Sequence, residues 1–163
     1  MLSATQTDDN TLLDAARTAG RRAYCPYSEF PVGAAVDTDL GRFMGCNIEN
    51  ASYGLAVCAE RVALFNAIAA GATRIEHLAV SCLKAGDTAP PGSRMPCGAC
   101  RQVIAEFMSP DATVTVDGVG VWCVSDLLPQ AFQLEAKPFL DATVKLSGSP
   151  YANQSKDEME NSL

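Results

Sequence analysis

Apolar and polar positions change period several times along the chain, and each change marks an element. Leu12, Ala16, Ala19 and Ala23 are spaced as one face of a helix, with "DDNT" at 8–11 supplying N-cap residues and Pro26 placed to stop it. Phe30, Val32, Ala34 and Val36 then alternate within "FPVGAAVDT", a strand. The turn "TDLGR" leads to a second strand in "FMGCNI", so the pair predicts an antiparallel hairpin. From Cys58 to Ala70 the chain is apolar almost all round, which predicts a buried central helix closed by Gly71. "HLAVSCL" is a continuous apolar run, as in an inner parallel strand. A Pro/Gly-rich loop, "AGDTAPPGSRMP", precedes a third helix from Cys97 to Met108 with Val103, Ile104 and Phe107 inward. "ATVTV" is a last clear strand and "SDLLP" a short capped turn. The order helix, hairpin, helix, strand, helix, strand predicts an α/β fold, a mixed sheet with helices on both faces. Residues 1–140 are expected to form one domain, and 141–163 a polar, flexible tail.

Composition narrows the classes. Of 163 residues, 48% are hydrophobic and 19% charged, enough for one globular core. The formal charge of −7 argues against a nucleic-acid partner, which needs clustered Lys and Arg, and favours a small, nearly neutral substrate. The apolar runs are too short to span a membrane. "MLSATQTDDN" lacks the basic and apolar regions of a signal peptide, so a cytoplasmic location is expected.

Seven cysteines then need a role. An odd count, an ordinary apolar fraction and no export signal argue against a disulfide scaffold. "PCGAC" at 96–100 is a C-x-x-C at a helix start, by itself either a redox pair or half of a zinc site. Cys58 opens another buried helix. Two parallel strand–helix units would put both helix starts at one sheet edge, where Cys58, Cys97 and Cys100 converge and two helix dipoles favour their thiolates. Three protein ligands without a fourth is the pattern of a catalytic zinc, with one position kept for water.

His77, at a strand start, reads as a surface or capping residue. Cys25, Cys46, Cys82 and Cys123 lack ligand spacing and read as small buried hydrophobes or incidental thiols. Glu60 alone would be a glutamate favoured at a helix N-terminus. Beside a convergent thiolate site it reads as a proton carrier. Three thiolates leave the zinc site with net negative charge, so Arg61 either withdraws charge from a thiolate or faces solvent.

Together these residues resemble the small zinc-dependent cytidine deaminases of the homotetrameric type with three cysteine ligands. The resemblance rests on "CAE" at 58–60 and "PCGACRQ" at 96–102, with "YCPYSEFPVGAAV" at 24–36, "GCNIENASYG" at 45–54 and "LLPQAF" at 127–132. It implies a three-layer α-β-α sandwich around a mixed, mainly five-stranded sheet. It implies one zinc per subunit held by Cys58, Cys97 and Cys100, with Glu60 as proton shuttle. By the same resemblance Asn47 and Glu49 hold the ribose 3′-hydroxyl, Phe30 stacks on the pyrimidine, and the N–H of Ala59 meets the base's O2. Phe132 enters the neighbouring subunit's site and Tyr53 lies in an intersubunit segment of a homotetramer. The expected reaction is hydrolytic deamination of cytidine and 2′-deoxycytidine in pyrimidine salvage, with no nucleic-acid or membrane partner. Two departures stand out: "DGVGVWCVSDLLP" leaves little room for a last strand pair, and Met95 stands where a small polar residue is common.

Overall fold

The structure, a computed structural model, describes residues 4–134 apart from Asp87, with residues 4–10 described in backbone only; the tail expected at 141–163 lies outside the described residues. The elements, in a compact unit that ends at Phe132, are α1 (Ala4–Gly20), β1 (Val32–Thr38), β2 (Gly41–Cys46), α2 (Ala59–Ala69), β3 (Ile75–Cys82), α3 (Gly98–Phe107), β4 (Thr113–Val116), β5 (Gly120–Cys123) and α4 (Val124–Leu127). Single 3₁₀ turns lie at Tyr53–Leu55 and Pro91–Ser93. The sheet order is β2-β1-β3-β4-β5. β1 is antiparallel to both β2 and β3, so β2 and β3 run the same way; β4 joins β3 in parallel and β5 closes the edge antiparallel.

Side-chain alternation divides the sheet into two faces. Ala34 and Val36 of β1 stand beside Val80 and Leu78 of β3, and these four join Ala63 and Leu64 of α2, Ile104 of α3 and Val114 of β4 in the main core. Ala35 is registered with Ala79 and points the other way, where Leu12 and Ala16 of α1 cover them. The result is three layers, with α1 on one face and α2 and α3 on the other. α1 lies so close that a Cβ on Gly33 would strike the Ala16 carbonyl oxygen and the Gly20 nitrogen.

Several details depart from the expected pattern. α1 ends at Gly20, short of Pro26, because the N–H groups of Arg21, Arg22 and Ala23 turn back three residues instead of four. β1 begins at Val32, leaving Phe30 half-buried in a loop: Pro31 has no N–H, and that of Phe30 goes to Ser28 Oγ at 3.1 Å. α2 is not buried all round, since Phe65 is 46% exposed. "DGVGVWC" does hold a last strand pair, because Gly118 and Gly120, both at positive φ, make the turn from β4 into β5 within a few residues.

Candidate active site

Two parallel crossovers, β2–α2–β3 and β3–α3–β4, begin both helices at the same edge of the sheet. Cys58 is the N-cap of α2 and Cys97 the N-cap of α3, each with extended backbone, and Cys100 is fully buried in the first turn of α3. Cys97 Sγ lies 3.9 Å from Cys58 Sγ and 3.5 Å from Cys100 Sγ, and all three sulfurs lie within 4.8 Å of one another. Four-coordinate zinc with Zn–S bonds of ~2.3 Å sets its sulfurs ~3.8 Å apart, so this donor set fits the ion. The cluster has three members among the described residues. α2 reaches this place because Gly45 lets it lie against β2: a Cβ there would meet the Ala63 nitrogen and, at 2.7 Å, the Ala59 carbonyl oxygen.

The thiols are electrostatically unequal. A hydrogen bond from Cys100, reinforced by Arg61 and opposed by burial, lowers the Cys58 thiol to about 5. The hydrogen bond to Cys58, with burial, pushes the Cys100 thiol up. The Arg61 guanidinium is turned inward, its Nη2 3.8 Å from Cys58 Sγ and 3.2 Å from the Ala56 carbonyl. Glu60, 5% exposed, sits in the first turn of α2, and burial raises its carboxyl above the usual range, its own N–H opposing and the Cys58 charge adding to the shift. Ala59 beside it is fully buried.

Residues 47–49 are tied to the residue that precedes Cys58. Ile48 bridges to Tyr24 and to Val57, holding residues 47–49 extended, so Asn47 and Glu49 face the same way. Both reach the loop that carries Phe30. Asn47 Oδ1 accepts from the Val32 N–H at 2.8 Å while its Nδ2 donates to the Phe30 carbonyl at 3.0 Å. Glu49 Oε2 accepts from the N–H groups of Tyr27 at 2.9 Å and Ser28 at 3.3 Å. Hydrogen bonds from the Ser28 side chain and these amides hold its carboxyl below the usual range. The loop they clamp contains Glu29 at φ 51°, a left-handed conformation that a non-glycine residue holds only when its surroundings enforce it. A pocket of about 340 Å³ opens here, lined by Tyr27, Ser28, Glu49, Asn50, Tyr53 and Ala56. Tyr53 is exposed and meets Tyr27 edge to face, ring centroids 6.2 Å apart.

Elsewhere, His77 is exposed and its Nδ1 lies 2.7 Å from Thr113 Oγ1, outside the thiol cluster. Cys25, Cys46, Cys82 and Cys123 are free and half-buried. Phe132 is 68% exposed. Two residues of "PCGACRQ" for which the motif's spacing carried no role are fully engaged. Arg101 donates to the carbonyls of Pro96 at 2.9 Å and Leu127 at 3.0 Å, and Gln102 exchanges two hydrogen bonds with the Phe132 backbone.

Comparison with known proteins agrees with this geometry. Residues 6–116 match the family model described as the cytidine and deoxycytidylate deaminase zinc-binding region. The chain belongs to this family. Its cofactor is zinc, which the sulfur spacing accommodates. The cytidine deaminase of Sporosarcina psychrophila is 43% identical over 133 residues, 78% of this chain and 93% of that protein. The crystal structure of the cytidine deaminase from Burkholderia pseudomallei matches with a TM-score of 0.67 at 46% identity, over 76% of this chain and 98% of that one. That from Mycobacterium tuberculosis matches at 0.66 and 38% identity, over 78% and 98%. The mixed five-stranded sheet between helix layers is thus the fold of these deaminases.

Proposed function

We propose that the protein is a cytidine deaminase, which hydrolyses cytidine and 2′-deoxycytidine to uridine and 2′-deoxyuridine with release of ammonia. The observation that carries this reading is three converging thiols at two helix N-termini with a buried carboxyl two residues from one of them. Cys58, Cys97 and Cys100 hold the metal. Zinc, when bound, supplies the Lewis acidity that makes water a nucleophile at neutral pH. Arg61 donates to the Cys58 thiolate and withdraws charge that would otherwise blunt that acidity.

Glu60 takes the proton released by the attacking water and delivers it to N3 of the base; it then takes the proton of the new C4 hydroxyl and delivers it to the amine, which departs as ammonia. Its burial, which favours the protonated form, suits a group that must carry a proton between steps. The Ala59 N–H, in the first turn of α2, has no acceptor within the helix and in this reading meets the base's O2. Phe30 stacks on the ring. Asn47 has one amide N–H beyond the bond to Phe30, and Glu49 has lone pairs beyond those used by Tyr27 and Ser28; together they offer a donor and an acceptor to the ribose 3′-hydroxyl. Contacts at the 3′ position do not sense the 2′ position, so both sugars are substrates.

The working enzyme is a homotetramer with sites completed across subunits by Tyr53 and Phe132. The exposed apolar side chains Tyr24, Tyr27, Ile48, Tyr53 and Leu55 support burial of this kind. Residues 1–140 act as one catalytic domain and 141–163 as a tail. The physiological role is pyrimidine salvage in the cytoplasm. Among the described residues no helix is long and apolar enough to cross a membrane, and the charge of −7 disfavours nucleic acid.

Incubation of the purified protein with cytidine, deoxycytidine, deoxycytidine monophosphate and blasticidin S, following loss of the cytosine absorbance, tests the reading. The two nucleosides should turn over and the other two should not. No turnover of cytidine by zinc-loaded protein would overturn it.

A further inference from the structure

We infer that Gln102 is a positioning residue that aims Phe132 into the neighbouring subunit, an inference that rests on the reading of Phe132 given above. Phe132 is 68% exposed, yet its backbone is not left loose. Gln102 Nε2 donates to the Phe132 carbonyl at 2.9 Å, and the Phe132 N–H donates to Gln102 Oε1 at 3.2 Å. One amide side chain thus satisfies both backbone groups of a single residue, as a neighbouring strand would, and fixes the direction in which the ring leaves the surface. The hold orders the backbone while the ring stays largely in solvent within its own protomer. Holding it lowers the entropy lost when a second surface receives it.

The mount is also rigid. Gln102 lies on α3 two residues beyond Cys100, and its neighbour Arg101 ties the same helix to the Pro96 carbonyl before it and the Leu127 carbonyl of α4. The segment from Leu127 to Phe132 is therefore anchored at both ends to the helix whose N-terminus carries Cys97 and Cys100. The side chain that aims the aromatic outward and the thiols of the protomer's own metal site share one short helix.

The consequence is a defect that acts in trans. Gln102→Ala should lower kcat/KM for cytidine by about tenfold, the scale of two neutral hydrogen bonds, while zinc content and Tm stay near wild type. Phe132→Ala should show a comparable loss, and the double variant should be no worse than Phe132→Ala alone. Gln102→Glu keeps the acceptor for the Phe132 N–H but loses the donor to its carbonyl, and should fall between.

Mixed tetramers discriminate further. Co-assembly of Gln102→Ala subunits with Glu60→Gln subunits should restore activity, because the latter lend a correctly aimed Phe132 to intact catalytic sites. A wild-type Gln102→Ala beside an impaired Phe132→Ala overturns the inference alone, as do additive losses in the double variant or failure of the mixed tetramers to recover while Phe132→Ala mixtures do. A Phe132→Ala variant as active as wild type overturns the shared-site reading and this inference with it.

Discussion

On the α1 face of the sheet the cluster has few members: Leu12 and Ala16 of the helix lie over Ala35 and Ala79, and Gly33 admits the helix backbone itself. On the opposite face Leu64, Leu78, Ile104 and the β-branched Val36, Val80 and Val114 fill a deeper layer beneath α2 and α3. A polar tie secures the α1 side. Arg17 forms a two-pronged pair with Asp117, Nε to Oδ2 at 2.8 Å and Nη2 to Oδ1 at 2.6 Å, and Ser81 donates to the same carboxylate at 2.7 Å. Every side chain of the thiol cluster, with Glu60 and Arg61, belongs to the α2/α3 side. One face seals the sheet and the other mounts the chemistry. The difference comes from connectivity: α2 and α3 are crossovers whose N-termini meet at a strand edge, whereas α1 precedes the sheet and has no such end to offer.

Four substitutions press on this contrast, from large effect to small. Cys100→Ser removes a buried sulfur from the cluster. Zinc by atomic emission should fall well below one per subunit and cytidine turnover should disappear. Two glycine substitutions set the faces against each other. Gly45→Ala forces a Cβ onto backbone atoms of α2, with a cost of about 1–3 kcal/mol in denaturant unfolding and faster loss of zinc to a chelator. Gly33→Ala forces one onto α1 and should show a stability loss of the same order with zinc retention unchanged. Equal loss of zinc in both variants would erase the distinction between the faces.

The smallest effect concerns the polar tie. Arg17 holds the Asp117 carboxyl below its usual range, so the pair stabilises the fold above the unfolded carboxyl's pKa of ~4 and loses that contribution as pH falls through the lower folded value. Asp117→Asn should cost about 1 kcal/mol at pH 7, modest because Arg17 is 43% exposed. The gap in Tm between variant and wild type should narrow as pH drops below ~4. A constant gap would mean that the ion pair is not its source.

The α2/α3 face was the more legible of the two in sequence, for a physical reason. A cysteine at a helix start two residues before a glutamate, and a C-x-x-C at another, conflict with local packing preference and so announce a site. The helix and strand periods around them were long enough to place both ends. Other features lacked such a signal. β5 has four residues with no alternation, and the positive-φ glycines at 118 and 120 that turn the chain into it explain it. Phe65 and Ile68 are apolar without being buried, and apolar content alone does not separate core from contact surface. Asn47 and Glu49 were legible as a same-sided pair, but that their oxygens clamp the Tyr27–Val32 backbone depends on a loop crossing that no periodicity records. Gln102 lies within a quoted motif, yet its partner is thirty residues away at the end of an irregular segment.

In the proposed mechanism Glu60 moves the proton at a zinc site that it does not itself build. The direct measurement is zinc content and cytidine turnover of Glu60→Gln side by side. Zinc should remain at one per subunit with Tm near wild type, while kcat falls by about 10²- to 10⁴-fold, the contribution of a positioned acid–base group. A variant that retains wild-type turnover, or that loses activity only because zinc is gone, would contradict the account.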